Sequence, residues 1–480
     1  MKKHGEATMG GTAGEHAVVL GASMAGLLAA RVLADHYRRV TLVERDVLPT
    51  SIGPHRRGVP HGRHLHGLQP RGVLVLDELF PGFGRELVQA GAVGADALGN
   101  IRYQLSGHQI RQTDVGLPGL FASRPFLEGH LRARVAALPN VRIIDNAEVV
   151  SPTTLGGRIT GVRVMPRATG QGGRTLAADL VVDASGRGSR TPLWLEQLGY
   201  QRPEAERVEI DLGYASRTYR LRPKAMGTDR LILTGSTPAI PRLGVLAVME
   251  GDRHIVTLAG QYGEHPPTDP AGFEDFAGRL AFPDIAEALR DAEPLDDPVA
   301  FRFPASVRHR YERLHRFPAG LLVIGDAVCS FNPVYGQGMA VAAIEAAELR
   351  DLLAGGGAPA PLAWFRRIAK AVDTPWQIAV GADLANPAVP GKRTAAIRLV
   401  NAYLPRLHAA ATTDASLGRA LIRVMSMVDR PQGLLRPDRA LRVLRGARRA
   451  TPAAAAAAAA AAEAVEAGLD RELATRNTRG

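Results

Sequence analysis

The segment His16-Ala17-Val18-Val19-Leu20-Gly21-Ala22-Ser23-Met24-Ala25-Gly26-Leu27 decides how the rest of the chain is read. Ala17 to Leu20 form a short apolar run that reads as a buried strand, and Gly21 permits a tight turn after it. From Leu27 to Tyr37 the apolar residues recur at helical spacing. Val40-Thr41-Leu42-Val43 is then a second buried strand, closed by Glu44. Strand, turn, helix and strand within about 30 residues make a βαβ unit and imply a parallel sheet.

Inside that turn, Gly21, Ser23 and Gly26 fall at the three small-residue positions of a dinucleotide fingerprint. Gly21 serves the turn and Gly26 the close packing of helix on sheet. The middle position is Ser23 in place of glycine, and its hydroxyl can donate to a phosphate. Met24 and Ala25 open the helix, whose free N–H groups and partial positive charge suit a pyrophosphate. Glu44 stands where an acid accepts hydrogen bonds from ribose hydroxyls and repels a 2′-phosphate, so the ligand expected is FAD or NAD, not NADP.

Two later strands also end in an acid, Leu180-Val181-Val182-Asp183 and Leu321-Leu322-Val323-Ile324-Gly325-Asp326. After the second come Phe331-Asn332-Pro333-Val334-Tyr335-Gly336-Gln337-Gly338-Met339 and an alanine-rich helix. A carboxylate such as Asp326 can hold a polyol chain by two hydroxyls. The Gly336–Gly338 turn can then aim helix-start N–H groups at an electron-rich ring edge. A flavin has both a ribityl chain and such an edge, whereas NAD needs neither, so FAD is the cofactor expected.

The whole chain sets the frame for these motifs. It has 480 residues, 46% hydrophobic and 22% charged, which fits a folded protein of several units and excludes wholesale disorder. Lysine stands only at 2, 3, 224, 370 and 392, so 54 of the 59 basic residues are arginine. The net charge is +12, but the arginines are scattered, and nucleic-acid binding is not expected. The charge would help an anionic or carrier-tethered substrate to dock. Cys329 is the single cysteine, which excludes an intrachain disulfide. No apolar stretch is long enough for a membrane span and no secretory signal is visible, so a cytoplasmic location is expected.

The fold class expected is α/β: a discontinuous Rossmann-like FAD-binding domain, an inserted antiparallel β-sheet substrate domain and a C-terminal helical region. Residues 1–15 read as a flexible leader. Residues 16–80, 121–200 and 301–360 read as the FAD-binding domain, and 81–120 and 201–300 as the β-rich substrate domain. The C-terminal helical region is 361–446, and 447–480 is an alanine-rich tail.

The motifs together resemble the FAD-dependent monooxygenases of the aromatic-hydroxylase fold, and within them the actinobacterial branch that holds the epoxidases of polyether polyketide biosynthesis. The resemblance covers most of residues 16–445. It is carried by the fingerprint, by Glu44-Arg45-Asp46, by Arg57-Gly58-Val59-Pro60-His61-Gly62-Arg63-His64-Leu65-His66, by Ser123-Arg124-Pro125, by Asp183-Ala184-Ser185-Gly186-Arg187 and by Gly325–Met339. It implies that Arg45, Arg57 and Val59 lie by the cofactor, that Arg124 contacts the adenosine or pyrophosphate part, and that Asp183 supports the sheet beside the nucleotide. It also implies that Asp326 holds the ribityl-phosphate arm and that Pro333 to Met339 wrap the isoalloxazine. Relatives carry glutamine where this chain has His61, so that imidazole either alters the hydrogen bonding of the ring or points to solvent.

The activity implied is insertion of one oxygen atom from O2 into a small apolar substrate through a flavin C4a-hydroperoxide. Alkene epoxidation is favoured over hydroxylation, because no convincing base for a phenol is visible. Electrons would come from NAD(P)H docking transiently, since no second fingerprint exists, or from a separate flavin reductase. A reductase or saturase of isoprenoid chains is the enzymatic alternative, and a non-catalytic flavin-binding protein the other. Halogenases are discounted for want of their Trp-x-Trp-x-Ile-Pro segment. No catalytic or substrate-binding residue is assigned. His61, His64 and His66 could tempt a metal reading, but without a nearby acid no metal is expected. Cys329 reads as a small buried hydrophobe, Arg308-His309-Arg310-Tyr311 as a strand edge or a substrate-orienting group. Trp364 and Trp376 read as cavity lining or core.

Overall fold

Val18, Val19, Val40, Leu42, Val181 and Leu322 are almost wholly buried, as the apolar runs require of a sheet covered on both faces. Residues 13–449 are described by the computed structural model. They divide into two compact units, one of residues 13–90, 122–208 and 305–379, the other of 91–121, 209–304 and 380–449. Residues 1–12 of the expected leader and the alanine run 453–462 lie outside the described residues.

In the first unit five parallel strands are labelled in chain order: β1 (Gly14–Leu20), β2 (Tyr37–Val43), β3 (Val141–Ile144), β4 (Leu180–Asp183) and β5 (Leu321–Val323). Their order across the sheet is β5-β4-β1-β2-β3. The register sets Leu20 opposite both Val43 and Asp183, and Asp183 opposite Val323. The carboxyl ends of four strands therefore stop at one level, the edge where an open parallel sheet takes its ligands.

The longer helices of this unit are α1 (Met24–Ala34), α2 (Pro70–Leu79), α3 (Arg124–Ala136), α4 (Gly338–Leu353) and α5 (Pro361–Asp383), the last of which runs past residue 379. α1 packs on α4 and α4 on α2. At Gly72 a Cβ would lie 3.2 Å from Ala340, so small residues set that approach. Trp364 of α5 is fully buried and its Nε1 donates to the Val323 carbonyl oxygen at 2.9 Å. It is a core residue. The opposite face of the sheet carries an antiparallel layer, Ala147–Leu155, Arg158–Pro166 and Arg174–Ala177, whose Ile159, Val162 and Val164 pack with Val18, Val181 and Leu321.

The second unit is built on an antiparallel sheet. Arg253–Gln261 lies between residues of Ala205–Arg220 and Arg242–Met249, and Leu231–Thr234 follows. The next pairing is parallel: Leu231–Thr234 runs alongside Ile101–Leu105. Helices Pro270–Gly278 and Asp284–Leu289 cover one face, with Phe273, Phe276 and Ile285 against Leu246, Val256 and Leu258. Three further helices, Ala395–Ala411, Ala415–Met425 and Pro437–Arg449, complete it.

Candidate functional site

The turn after β1 is strained in the way only glycine tolerates. Gly21 has φ +98°, its N–H donates to the Val43 carbonyl at 2.8 Å, and a Cβ on it would stand 2.7 Å from the Ala184 carbonyl oxygen. At Gly26 a Cβ would run into the Gly21 carbonyl oxygen, so helix and strand meet only because no side chain intervenes. Ser23 is the N-cap of α1 and forms no side-chain bond to the helix, so no side chain caps the first-turn N–H groups. Met24 is buried and Ala25 half-buried at this start.

The Ser23 hydroxyl is engaged elsewhere. It donates to Glu128 Oε2 at 2.7 Å and accepts from Arg124 Nη2 at 2.7 Å. Arg124 opens α3 behind the N-cap Ser123, and Glu128 lies one turn further on the same face, paired with Arg124 at 3.2 Å. Burial works against the Glu128 charge, but the Arg124 and Arg56 guanidinium groups hold its carboxyl below the usual glutamate value.

Glu44 is buried at the end of β2. Its Oε2 accepts from the Ala22 N–H at 2.8 Å and its Oε1 from the Asp46 N–H at 3.1 Å. Arg56 gathers three carboxylates: Glu128 at 2.7 Å, Glu44 at 3.2 Å and Asp46 at 3.2 Å. Its Nη2 is buried with no hydrogen-bond partner. A shallow cleft opens beside it, lined among others by Ser51, Val59, Gly62, Arg124 and Arg132. Arg45 and Arg57 are both exposed, whereas Val59 is buried on this cleft. The inward guanidinium of the loop is thus Arg56, a residue that sequence reasoning passed over for its neighbour.

Asp183 is fully buried and saturated by its own loop. Its Oδ1 accepts from the backbone N–H and hydroxyl of Ser185, at 2.9 and 2.5 Å. Its Oδ2 accepts from the hydroxyls of Ser189 and Thr191, both at 2.6 Å. That carboxylate braces the strand end rather than offering itself to a ligand.

The turn after β5 repeats the device of the first. Gly325 has φ +68°, and a Cβ on it would lie 2.8 Å from that of Ala25, so the two turns touch. Asp326 follows with its side chain reached by solvent, yet ringed by so much protein that desolvation raises its carboxyl, while Arg187 and Arg124 pull it down. Glu345 of α4, two turns beyond Gly338, is fully buried and accepts the Gly325 N–H through Oε2 at 2.5 Å. Its Oε1 has no partner.

The segment to Met339 is shaped by Asn332, whose Oδ1 accepts from the Val334 N–H at 3.0 Å, and by Gly336 at φ +63°. Pro333, Gly336 and Gly338 are exposed and Met339 is buried. No side chain caps α4, and the buried Gln337 leaves its Oε1 without a partner. Gln69 donates to the Tyr335 carbonyl at 2.8 Å, tying the histidine-bearing loop to this turn. In that loop the rings of His61 and His66 lie 5.6 Å apart. Burial, reinforced by the Arg124 charge, takes His61 down to about 3 and His66 well below the usual imidazole value. Among the described residues no cluster of histidine, cysteine and carboxylate side chains could hold a metal ion.

Other residues singled out in the sequence are packed behind this edge rather than presented at it. Cys329 is buried, and burial pushes its thiol well up. Arg308 is buried against Asp373 at 2.7 Å, Arg310 pairs with Glu206 at 2.6 Å, and the Tyr311 ring stacks on Phe365 at 4.9 Å. These groups knit the unit together. Chemically, the strand-end edge offers phosphate an uncapped helix start and the unpartnered Nη2 of the ion-paired Arg56, and offers polyol hydroxyls two acids. The second uncapped helix start suits a ring edge that gains negative charge.

Comparison with known proteins agrees with this chemistry. The family model described as "FAD binding domain" matches residues 15–356. Protein Rv3254 of Mycobacterium tuberculosis (strain ATCC 25618 / H37Rv) is 39% identical over 355 residues, 71% of this chain and 73% of that protein. Kynurenine 3-monooxygenase of Salinispora arenicola (strain CNS-205) is 28% identical over 338 residues, 68% of this chain and 69% of that one. Among solved structures, a flavoprotein/dehydrogenase from Cytophaga hutchinsonii superposes with a TM-score of 0.64. The match covers 91% of this chain and 98% of that one, and at 15% identity it speaks for the fold alone. The chain belongs to the FAD binding domain family, and it is an FAD-dependent monooxygenase.

Proposed function

We propose that this enzyme transfers one atom of O2 to an apolar, natural-product-like substrate, with alkene epoxidation ahead of hydroxylation, as in the polyether epoxidases it resembles. The observation that carries the preference is the state of the imidazoles in the loop 57–66. A phenol needs a base to raise its ring nucleophilicity. His61, held down to about 3 by burial and the Arg124 charge, is a poor one. An alkene needs no base. The kinship with a kynurenine 3-monooxygenase keeps aromatic hydroxylation as the second reading.

In this reading FAD, when bound, supplies the two-electron transfer and the activation of oxygen. The α1 start and Arg56 hold its pyrophosphate, with Arg124 beside them, and Glu44 holds the adenosine ribose. Asp326 takes the ribityl arm, and the residues from Pro333 to Met339 border the ring. Asp183 keeps the central strand end in place without touching the cofactor. The half-buried His61 and His66 keep a neutral, largely desolvated wall on their side of the site.

Electrons come from NAD(P)H or from a separate flavin reductase, and a carrier-tethered substrate suits the net charge of +12. The balance is substrate, O2, NAD(P)H and a proton giving oxygenated substrate, water and NAD(P)+. The test is product analysis under ¹⁸O2 with a polyene and a phenol panel. One labelled oxygen in an epoxide or its diol is expected. A product that has gained two hydrogens and no label would put a saturase in its place.

A further inference from the structure

Helix Pro437–Arg449 shows solvent two chemically different stripes side by side. Val443 is fully buried and Gly446 faces Ala410 of helix Ala395–Ala411, where a Cβ would come within 2.7 Å, so the helix is held in one orientation. At about 100° per residue, Leu441 and Leu444 then fall on one side of the outer arc and Arg442 and Arg445 on the other. The leucines are 47% and 54% exposed, and Leu435, in the turn just before, is 45% exposed. Single exposed leucines are ordinary. Three within ten residues, alternating with exposed arginines, are the pattern of a helix that lies in a lipid interface.

We propose that this helix seats the enzyme on an anionic lipid surface, with Leu435, Leu441 and Leu444 entering the acyl boundary and Arg442 and Arg445 against headgroup phosphates. Charge selects the occupant. Between 436 and 445 the chain has four arginines and one acid, Asp438, which is paired with Arg436 at 3.2 Å. Arg442 also meets Asp414 at 2.6 Å, so the surface keeps a positive excess carried by Arg439 and Arg445. The exposed apolar residues are aliphatic, which suits acyl chains and gives nucleic-acid bases nothing to stack on. No helix among the described residues is long and apolar enough to cross a membrane, so the contact is interfacial. The inference goes beyond the proposed reaction and does not depend on it.

The test is flotation of the full-length holoenzyme with vesicles of phosphatidylcholine alone and with about one-third phosphatidylglycerol. Binding is expected only to the anionic vesicles and should fall as salt rises. The double variant Leu441→Gln, Leu444→Gln should keep its flavin absorbance and melting temperature and lose binding on the order of tenfold. Arg445→Gln should lose about fivefold. No binding to anionic vesicles, or equal binding to neutral ones, overturns the proposal. So does binding that Arg445→Gln weakens but the leucine variant leaves intact, the mark of a charge-only surface for an acidic protein or nucleic acid.

Discussion

Glu345 Oε2 accepts a 2.5 Å hydrogen bond from the Gly325 N–H, so a side chain within α4 holds the turn that presents Asp326. Burial raises this carboxyl to about 8, with the Gly325 bond opposing and the Asp326 charge adding to the rise. A carboxyl raised in the folded state contributes stability that is complete below its unfolded value of 4.5 and is lost as pH climbs through about 8. Melting temperature should therefore fall across that window in wild type, and Glu345→Gln should flatten the fall. Glu345→Ala, which strands the buried N–H, should cost about 1–3 kcal/mol and weaken FAD binding.

Arg56 and Arg57 are adjacent and should behave oppositely. Arg56→Ala leaves Glu44, Asp46 and Glu128 without their shared cation. A loss of about 3–5 kcal/mol is expected, together with loss of bound flavin on gel filtration. Arg57→Ala, at an exposed position, should shift stability by no more than about 0.5 kcal/mol. Thermal melts of the two variants side by side decide the matter.

Gly26→Ala places a methyl group against the Gly21 carbonyl oxygen. The variant should be recovered without flavin or in aggregates, whereas Ser23→Gly, which removes only the hydroxyl between Arg124 and Glu128, should retain FAD with lowered affinity. Flavin absorbance per mole of protein is the measurement.

His61→Gln should leave the pH dependence of turnover unchanged between pH 5 and 9. The imidazole is neutral throughout that range because burial and Arg124 have already taken it to about 3. A profile that moves with the substitution would show that the ring exchanges a proton during turnover.

Much of the sheet edge was legible in the sequence because parallel strands buried on both faces are written as continuous apolar runs. The acids that close them mark their carboxyl ends, as at Glu44, Asp183 and Asp326. Loops carry no such period. Nothing distinguishes Arg56 from Arg57 until the chain path turns one inward. Glu128 carried a usable signal, since it lies four residues after Arg124 on the same helix face, whereas Glu345 carried none, because its partner Gly325 lies outside its helix. The parallel pairing of Leu231–Thr234 with Ile101–Leu105 was out of reach, because partners so far apart in sequence meet only through the folded sheet.

Asp183 finds all four of its donors between positions 185 and 191. A buried charge that carries its own solvation needs no ligand to order it. This part of the cradle should keep its form in the apoprotein, while the loop around Arg56 depends on ion pairs with carboxylates from two other segments, Glu44 with Asp46 and Glu128. Reconstitution with FAD should consequently be a docking onto one finished wall followed by closure of the other, and its slow phase should respond to salt while its fast phase does not.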